Sequence, residues 1–152
     1  MKPLHALPAL LLLAITACAP TPPPPARVVG QLQAVPGLNP SGSGKPLPLR
    51  VRMYELKAPG TFQNADFFSL WDKAQGTLGA DLTGSEEWVV QPGSTLTLDR
   101  QLDPATRHVG VIAAYRDING STWRKLVAVP PNQTTRLSIQ LGATALNVSA
   151  GP

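Results

Sequence analysis

The 152-residue sequence is poor in the residues that carry most catalytic chemistry. It has two histidines, one cysteine and no phosphate-binding loop, and aromatic residues make up 5% of the chain. His5 lies in the apolar N-terminal segment, which leaves His108 as the one candidate base or metal ligand of its type. A Cys/His zinc site cannot be built from this set, and no nucleophile-elbow motif accompanies His108. We therefore predict a protein that is not an enzyme and that uses no cofactor and no metal.

Charge is also sparse, and it is not clustered. The net charge is +4, and no basic run is longer than Arg124-Lys125, whereas nucleic-acid binding normally requires a basic stripe. We predict no nucleic-acid partner. The neighbouring acids Glu86 and Glu87 suggest a carboxylate pair, but adjacent strand residues point to opposite faces of a sheet. We interpret them as surface residues at the start of a strand.

The sequence has no apolar run long enough to form a permanent transmembrane helix. Its longest apolar stretch, Ala6 to Ile15, follows the basic Lys2 and precedes the small residues Thr16 and Ala17. A charged start, a short apolar core and small residues before the cleavage point are typical of a secretory signal. We predict that residues 1–17 are a signal peptide.

The single cysteine, Cys18, stands directly after this segment. The string Ile15-Thr16-Ala17-Cys18 is similar to the bacterial lipobox, in which the cysteine thiol accepts a diacylglyceryl group after export. Two or more acyl chains give stable membrane anchoring, because each buried methylene contributes about 0.8 kcal/mol. Ala19 stands where an aspartate would resemble an inner-membrane retention signal, which favours the outer membrane. We predict that residues 18–26 form a lipidated cysteine followed by a proline-rich, extended linker.

Residues 27–152 show the alternation of apolar and polar side chains that is typical of strands. The clearest examples are Leu49 to Tyr54, Thr95 to Asp99 and Arg136 to Leu141, the last with an edge or outer pattern. The strand from His108 to Tyr115 is apolar on both faces, which predicts a central position. Four weaker strands are predicted at residues 28–35, 87–91, 123–129 and 145–149. Several short strands at this spacing predict an all-β sandwich or barrel.

Two turns and one helix are predicted between these strands. Pro92-Gly93 predicts a tight hairpin, and Asn119-Gly120 predicts a type I′ turn with two positive φ angles. In the segment 64–71, Phe67, Leu70 and Trp71 fall on one helical face. We predict one short helix there, with Asn64 as its N-cap.

The longest irregular segment between two strands, residues 36–46, is rich in glycine, serine and proline and contains a single large apolar residue, Leu38. Because such a composition cannot bury a core, we expect the segment to protrude. It could grip another protein, or it could be a passive flexible connection, and the composition alone does not decide between the two.

Several short sequence strings, taken in their order along the chain, resemble those of the TssJ lipoproteins of type VI secretion systems. The resemblance covers nearly the whole chain after the signal and rests on the lipobox, Leu38-Asn39-Pro40, residues 51–57, Ala65 to Leu70, residues 78–82, Glu86-Glu87, Pro92-Gly93, and residues 110–117 with Trp123-Arg124. It implies a two-sheet, antiparallel, transthyretin-like β-sandwich over residues 27–152 with one short helical insertion.

The resemblance also implies a location and a partner. Family members are attached to the outer membrane, face the periplasm and bind the periplasmic C-terminal part of the inner-membrane protein TssM through the loop between the first two strands. Carried onto this sequence, the loop residues are Gly37, Leu38, Asn39, Pro40, Ser41, Gly42, Ser43, Gly44 and Lys45. The alternative hypothesis is a lipoprotein that binds a small ligand or glycan, with these aromatic residues as stacking surfaces: Phe67, Phe68, Trp71, Trp88 and Trp123.

The lipobox generates a direct prediction. We expect Cys18→Ser to abolish acylation and to release the protein from the membrane fraction, because no other thiol is available. Mass spectrometry of the mature N-terminus and fractionation of cells lacking TssM measure both effects. Continued sedimentation of Cys18→Ser with the outer membrane would contradict the anchor.

Overall fold

The computed structural model describes residues 24–152, so Cys18 and the signal segment lie outside the described residues. The described chain forms eight strands and a helical segment. The elements in chain order are β1 (Arg27–Ala34), β2 (Leu49–Leu56), α1 (Gly60–Asn64), α2 (Phe67–Asp72), α3 (Ala74–Leu78), a 3₁₀ turn (Gly79–Asp81), β3 (Leu82–Val90), β4 (Thr95–Gln101), β5 (His108–Ala113), β6 (Arg124–Ala128), β7 (Thr134–Leu141) and β8 (Leu146–Gly151).

The strands form two four-stranded sheets that pack face to face, which confirms the predicted β-sandwich. Sheet one has the order β4-β1-β7-β8, and sheet two has the order β3-β2-β5-β6. All strand pairs within the sheets are antiparallel except β1 with β7, which is parallel. As predicted, β5 is central, with β2 on one side and β6 on the other. β7 is also internal, so its alternating pattern reflects an exposed outer face and not an edge.

Both predicted turns differ in the structure. Pro92-Gly93 does make a tight turn, with φ of 73° at Gly93, but it joins β3 in sheet two to β4 in sheet one and is therefore not a hairpin. Asn119-Gly120 has no positive φ. The Asp117 carboxylate accepts a hydrogen bond from the Gly120 amide at 3.0 Å, and this side-chain contact turns the chain instead.

The space between the sheets holds the main hydrophobic core. Its centre is formed by fully buried side chains from both sheets, among them Leu32, Leu49, Val51, Val111 and Ile139. On the side of the sandwich formed by β3 and β4, the gap between the sheets is bridged by Arg100, which reaches the buried Glu55 at 2.5 Å and Glu86 at 3.2 Å. Because a carboxylate as buried as Glu55 needs a paired charge, this bridge ties β4 to β2.

The helical segment is longer than predicted and contains three short helices in place of one. The N-cap of α2 is Asp66, whose carboxylate accepts hydrogen bonds from the Ser69 amide at 3.0 Å and from the Ser69 hydroxyl at 2.6 Å. Asn64, the predicted cap, is the last residue of α1, and its side chain donates to the Gly60 carbonyl. Asp66 is favoured because it has extended backbone angles directly before the helix, which an N-cap requires.

These helices cover part of the outer face of sheet two and enclose a second hydrophobic core. Phe62 of α1 lies fully buried there, edge-on to Tyr54 at 6.1 Å between ring centroids. Gly110 of β5 makes room for it, because a Cβ at Gly110 would lie 2.6 Å from the Phe62 ring. The close approach of α1 to the sheet therefore depends on this glycine. None of the helices within residues 24–152 is both long and apolar enough to cross a bilayer.

We expect Gly110→Ala to destabilise the domain by about 1–3 kcal/mol, because the new methyl group overlaps the Phe62 ring. Gly76→Ala is the matched control: Gly76 lies in α3 with no atom within 4 Å of an added Cβ. Urea unfolding should show no loss of stability in the control, since alanine is the better helix former. Equal stability of both variants would contradict the packing described here.

Candidate functional site

The loop between β1 and β2 lies at one end of the sandwich. The chain enters at the other end, where Arg27 begins β1 and pairs with Gln101 and Thr134. Eight residues of strand separate the two ends by about 25 Å. We call the end that holds residues 35–48, 91–94, 114–123 and 142–145 the loop end, and the opposite end the entry end. The loop is therefore presented on the far side of the domain from the point where the linker joins it.

The neck of the loop is buried, contrary to the expectation that the whole segment protrudes. The Leu38 side chain is fully buried in the main core, and Asn39 is 7% exposed. The Leu38 carbonyl also accepts a hydrogen bond from the Leu47 amide at 3.0 Å, which closes the two arms of the loop on each other. The composition of the segment did not predict the burial of Leu38, because its neighbours are glycine, serine and proline. A single buried leucine is nevertheless enough to anchor a loop.

Asn39 fixes the neck through hydrogen bonds to the other arm of the loop and to two other segments. Its side-chain amide donates to the Pro48 carbonyl at 3.0 Å, and its side-chain oxygen accepts from the Arg116 amide at 2.8 Å. Its backbone amide donates to the Ala143 carbonyl at 3.0 Å. Asn39 also adopts a positive φ of 45°, which asparagine tolerates better than most residues. One residue thus joins the loop to two neighbouring connections at the loop end.

The tip of the loop is a closed turn. The Ser41 amide donates to the Lys45 carbonyl at 2.8 Å, and the Gly44 amide donates back to the Ser41 carbonyl at 2.9 Å. The Ser41 hydroxyl accepts from the Lys45 amide and lies 2.9 Å from the Ser43 hydroxyl. Gly42, Ser43, Gly44 and Lys45 are exposed. The tip is therefore a defined shape on a fixed neck, which favours recognition over a passive connection.

Arg116 lies along the side of the loop. Its guanidinium Nε is 3.4 Å from the Pro40 carbonyl, and its side chain approaches Gly42. Within residues 24–152 it makes no ion pair. The loop end therefore presents a cation next to the exposed tip.

Two arginines of β2 connect sheet two to helix α2. Arg52 donates to the Trp71 carbonyl at 2.7 Å and stacks over the Trp71 ring at 4.3 Å, and Arg50 stacks over the same ring at 5.1 Å. Both guanidinium groups bind Glu87 of β3. Partial burial raises the pKa of the Glu87 carboxyl, but the hydrogen bonds from Arg52 and Arg50 outweigh it and hold that pKa below its usual value. Glu87 and the two arginines therefore stay ionised at neutral pH, and together they keep α2 in place.

The other end of the helical segment is held in the same way. Arg124 of β6 donates to the Phe62 and Ala65 carbonyls at 2.8 and 2.7 Å, which satisfies free carbonyl groups at the end of α1. The Tyr54 hydroxyl donates to the Leu70 carbonyl at 2.6 Å, and burial raises the pKa of this phenol. Sheet side chains thus satisfy carbonyl groups near the C-terminal ends of α1 and α2.

The aromatic residues of the alternative hypothesis do not form an open stacking surface. Phe67 stacks on Trp71 at 5.5 Å and meets Trp123 edge-on at 5.3 Å, and Trp88 packs against the main core. Phe68 alone of the five is exposed. A groove over Gly30 on the outer face of sheet one has no aromatic residue in its lining.

The residues considered for catalysis are held apart or buried. Glu87 faces the helical segment and Glu86 faces Arg100, so the two carboxylates lie on opposite faces of β3 as predicted. His108 is half-buried, and its Nδ1 atom is buried without a hydrogen-bond partner among the described residues. No group of three potential metal ligands occurs within residues 24–152.

Comparison with known proteins places this fold in a family. A family model described as "Type VI secretion lipoprotein, VasD, EvfM, TssJ" matches residues 26–144. The chain is 48% identical to the T6SS lipoprotein TssJ1 from Pseudomonas aeruginosa, with a TM-score of 0.81 over 85% of this chain and 98% of that chain. It is 28% identical to Lip of Serratia marcescens, a membrane-bound component of the type VI secretion system, with a TM-score of 0.75 over 81% of this chain and 96% of that chain.

A further match is a chain in the structure "T6SS protein TssM C-terminal domain (869-1107) from EAEC", with 27% identity and a TM-score of 0.68. That match covers 80% of this chain and 99% of that chain. No curated protein sequence matches. Because the family model spans most of the sequence and the sandwich is shared with these structures, the chain belongs to the TssJ family of type VI secretion lipoproteins.

Proposed function

We propose that this lipoprotein is anchored in the outer membrane through acyl chains on Cys18, faces the periplasm, and binds the periplasmic C-terminal region of TssM with its loop end. It thereby links the outer and inner membranes within the secretion complex. The observation that carries this proposal is the loop itself: a closed tip on a buried neck, held at the end of the sandwich opposite the linker.

The similar structures support the choice of partner. One of them is a chain of a "Type VI membrane complex", with 26% identity and a TM-score of 0.71. In the TssM structure, the match covers 99% of the matched chain but 80% of this 152-residue chain. The matched chain is therefore shorter than this one and cannot be the whole range 869–1107, so a TssJ-like chain accompanies the TssM domain there.

The proposed mechanism is mechanical and involves no turnover, so the protein is not an enzyme. The acyl chains hold the N-terminus at the membrane, and the linker brings the chain to the entry end of the domain. Force that arrives at the loop passes through Leu38 into the main core and through Asn39 into the connections around Arg116 and Ala143. A loop that is also held by two neighbouring connections transmits load better than one held only by its two strands.

We expect Ser43→Trp to weaken binding of TssM by about a hundredfold or more, because a large side chain at the exposed tip prevents close packing at the centre of an interface. Ser149→Trp is the matched control, since Ser149 is also exposed but lies on the outer face of sheet one. Calorimetric titration of the full chain in detergent with the periplasmic C-terminal region of TssM measures both, and thermal unfolding checks that both variants fold.

Two results would contradict the proposal. One is the absence of binding by the wild-type chain at micromolar concentration with both proteins folded. The other is wild-type affinity of Ser43→Trp together with loss of binding by Ser149→Trp, which would move the interface to sheet one.

The neck generates a second prediction. We expect Asn39→Ala to lower the free energy of unfolding by about 1–3 kcal/mol, since it leaves the Arg116 amide and the Pro48 carbonyl without their buried partner. It should also weaken TssM binding, because the tip loses its fixed position. Asn147→Ala, at an exposed site on β8, is the control and should change neither urea unfolding nor affinity. Unchanged hydrogen exchange of the Gly44 amide in Asn39→Ala would refute the role of the neck.

A further inference from the structure

Exposed apolar side chains are concentrated in the loop-end half of the domain. Three large apolar residues are exposed in the part of the chain that the structure describes: Val35 (41%), Val89 (59%) and Phe68 (64%). Val35 directly follows β1, and Val89 pairs with Arg50 near the start of β2, so both lie beside the loop. No residue of this kind lies in the entry-end half of the described domain.

Phe68 belongs to this group because of how α2 crosses sheet two. Phe68 packs edge-on against Phe67 at 5.4 Å, and Phe67 contacts Trp123, which precedes β6 at the loop end. Trp71, in the same helix, lies under Arg50. The aromatic side of α2 therefore lies over the loop-end part of sheet two, and Phe68 is the outermost of the aromatic rings.

Three positively charged side chains lie beside the loop. Lys45 is exposed at the loop tip, the Arg50 side chain is 54% exposed, and Arg116 lies beside the loop without an ion pair among residues 24–152. Of the carboxylates nearby, Glu87 is shared by two arginines and Asp117 accepts a hydrogen bond from the Gly120 amide. Asp66 and Asp72 are exposed at the two ends of α2, next to Phe68, so the positive charge is confined to the side of the loop.

We propose that the partner-binding surface extends from the loop tip down both sides of the loop end, with Val35 on one flank and Val89 and Phe68 on the other. This inference rests on the proposed function and deepens it by giving the chemistry of the partner surface: apolar side chains bordered by carboxylates. The apolar flanks add buried contact on either side of the tip, and the cations beside the loop pair with acids of the partner.

The geometry favours a protein partner over a lipid surface. Val35 continues the outer face of sheet one, whereas Val89 and Phe68 lie on the outer side of sheet two. Because the two sheets are about 10 Å apart and these residues face away from each other, a flat membrane cannot contact both flanks at once. A protein that receives the loop in a concave site can.

The test uses substitutions that remove apolar surface and keep local propensity. Val35→Thr and Val89→Thr retain β-branched side chains, and Phe68→Ala retains a good helix former. We expect Phe68→Ala and the double variant Val35→Thr/Val89→Thr each to weaken TssM binding about tenfold or more. Gln101→Ser, at the exposed entry end, is the control and should bind like the wild type.

Salt adds a separate readout. We expect wild-type association to slow as ionic strength rises, and Arg116→Gln to reduce that salt dependence, since exposed charges are screened. All affinities are measured by titration of the full chain in detergent, with thermal unfolding as the check on folding.

The possible outcomes separate the two claims. If the wild-type chain does not bind TssM, the proposed function fails. If Ser43→Trp abolishes binding while the flank variants stay within about twofold of the wild type, the proposed function stands and the extended surface is wrong. A dimer in sedimentation velocity that Phe68→Ala dissociates, or vesicle binding of the chain that Phe68→Ala removes, would show that a second copy or lipid covers the flank and would also overturn the inference.

Discussion

Strand β2 has to satisfy two cores at once, and the arrangement of the domain follows from this constraint. Leu49, Val51 and Met53 point between the sheets, while Tyr54 and Leu56 point into the core under the helices. A strand buried on both faces leaves no room for an uncompensated charge. The charged residues of β2 are accordingly paired, with arginines held by Glu87 on the outer face and Glu55 held by Arg100 on the inner face.

The same strand begins where the loop ends, so the loop inherits this rigidity. The neck is buried in the main core through Leu38, and hydrogen bonds of Asn39 bind it to its neighbours. The tip then closes on itself through backbone hydrogen bonds. An interface on a fixed loop loses less conformational entropy on binding than one on a flexible segment. This is the physical reason why we propose a glycine-rich loop as the recognition element.

Much of the fold could be predicted from alternation alone. Each of the eight strands overlaps a predicted one, because each buries one face or both, although β3 begins at Leu82, five residues before its predicted start. The pairing could not be predicted: nothing in the turn Pro92-Gly93 indicates that the chain changes sheets, and the parallel neighbours β1 and β7 are distant in sequence. The buried neck was also missed, since the burial of Leu38 is decided by the sheets around it and not by its polar neighbours.

The family resemblance predicts that the loop is the partner-binding site. The structure adds that the loop has a defined shape and that positive charges lie at its tip and beside it. Site-specific photo-crosslinking in intact cells tests this most directly. A photoreactive residue at Ser43 should crosslink to TssM, whereas one at Gln101 on the entry end should not. Crosslinks to TssM from Gln101 and none from Ser43, with both variants folded and present in the membrane fraction, would contradict the account.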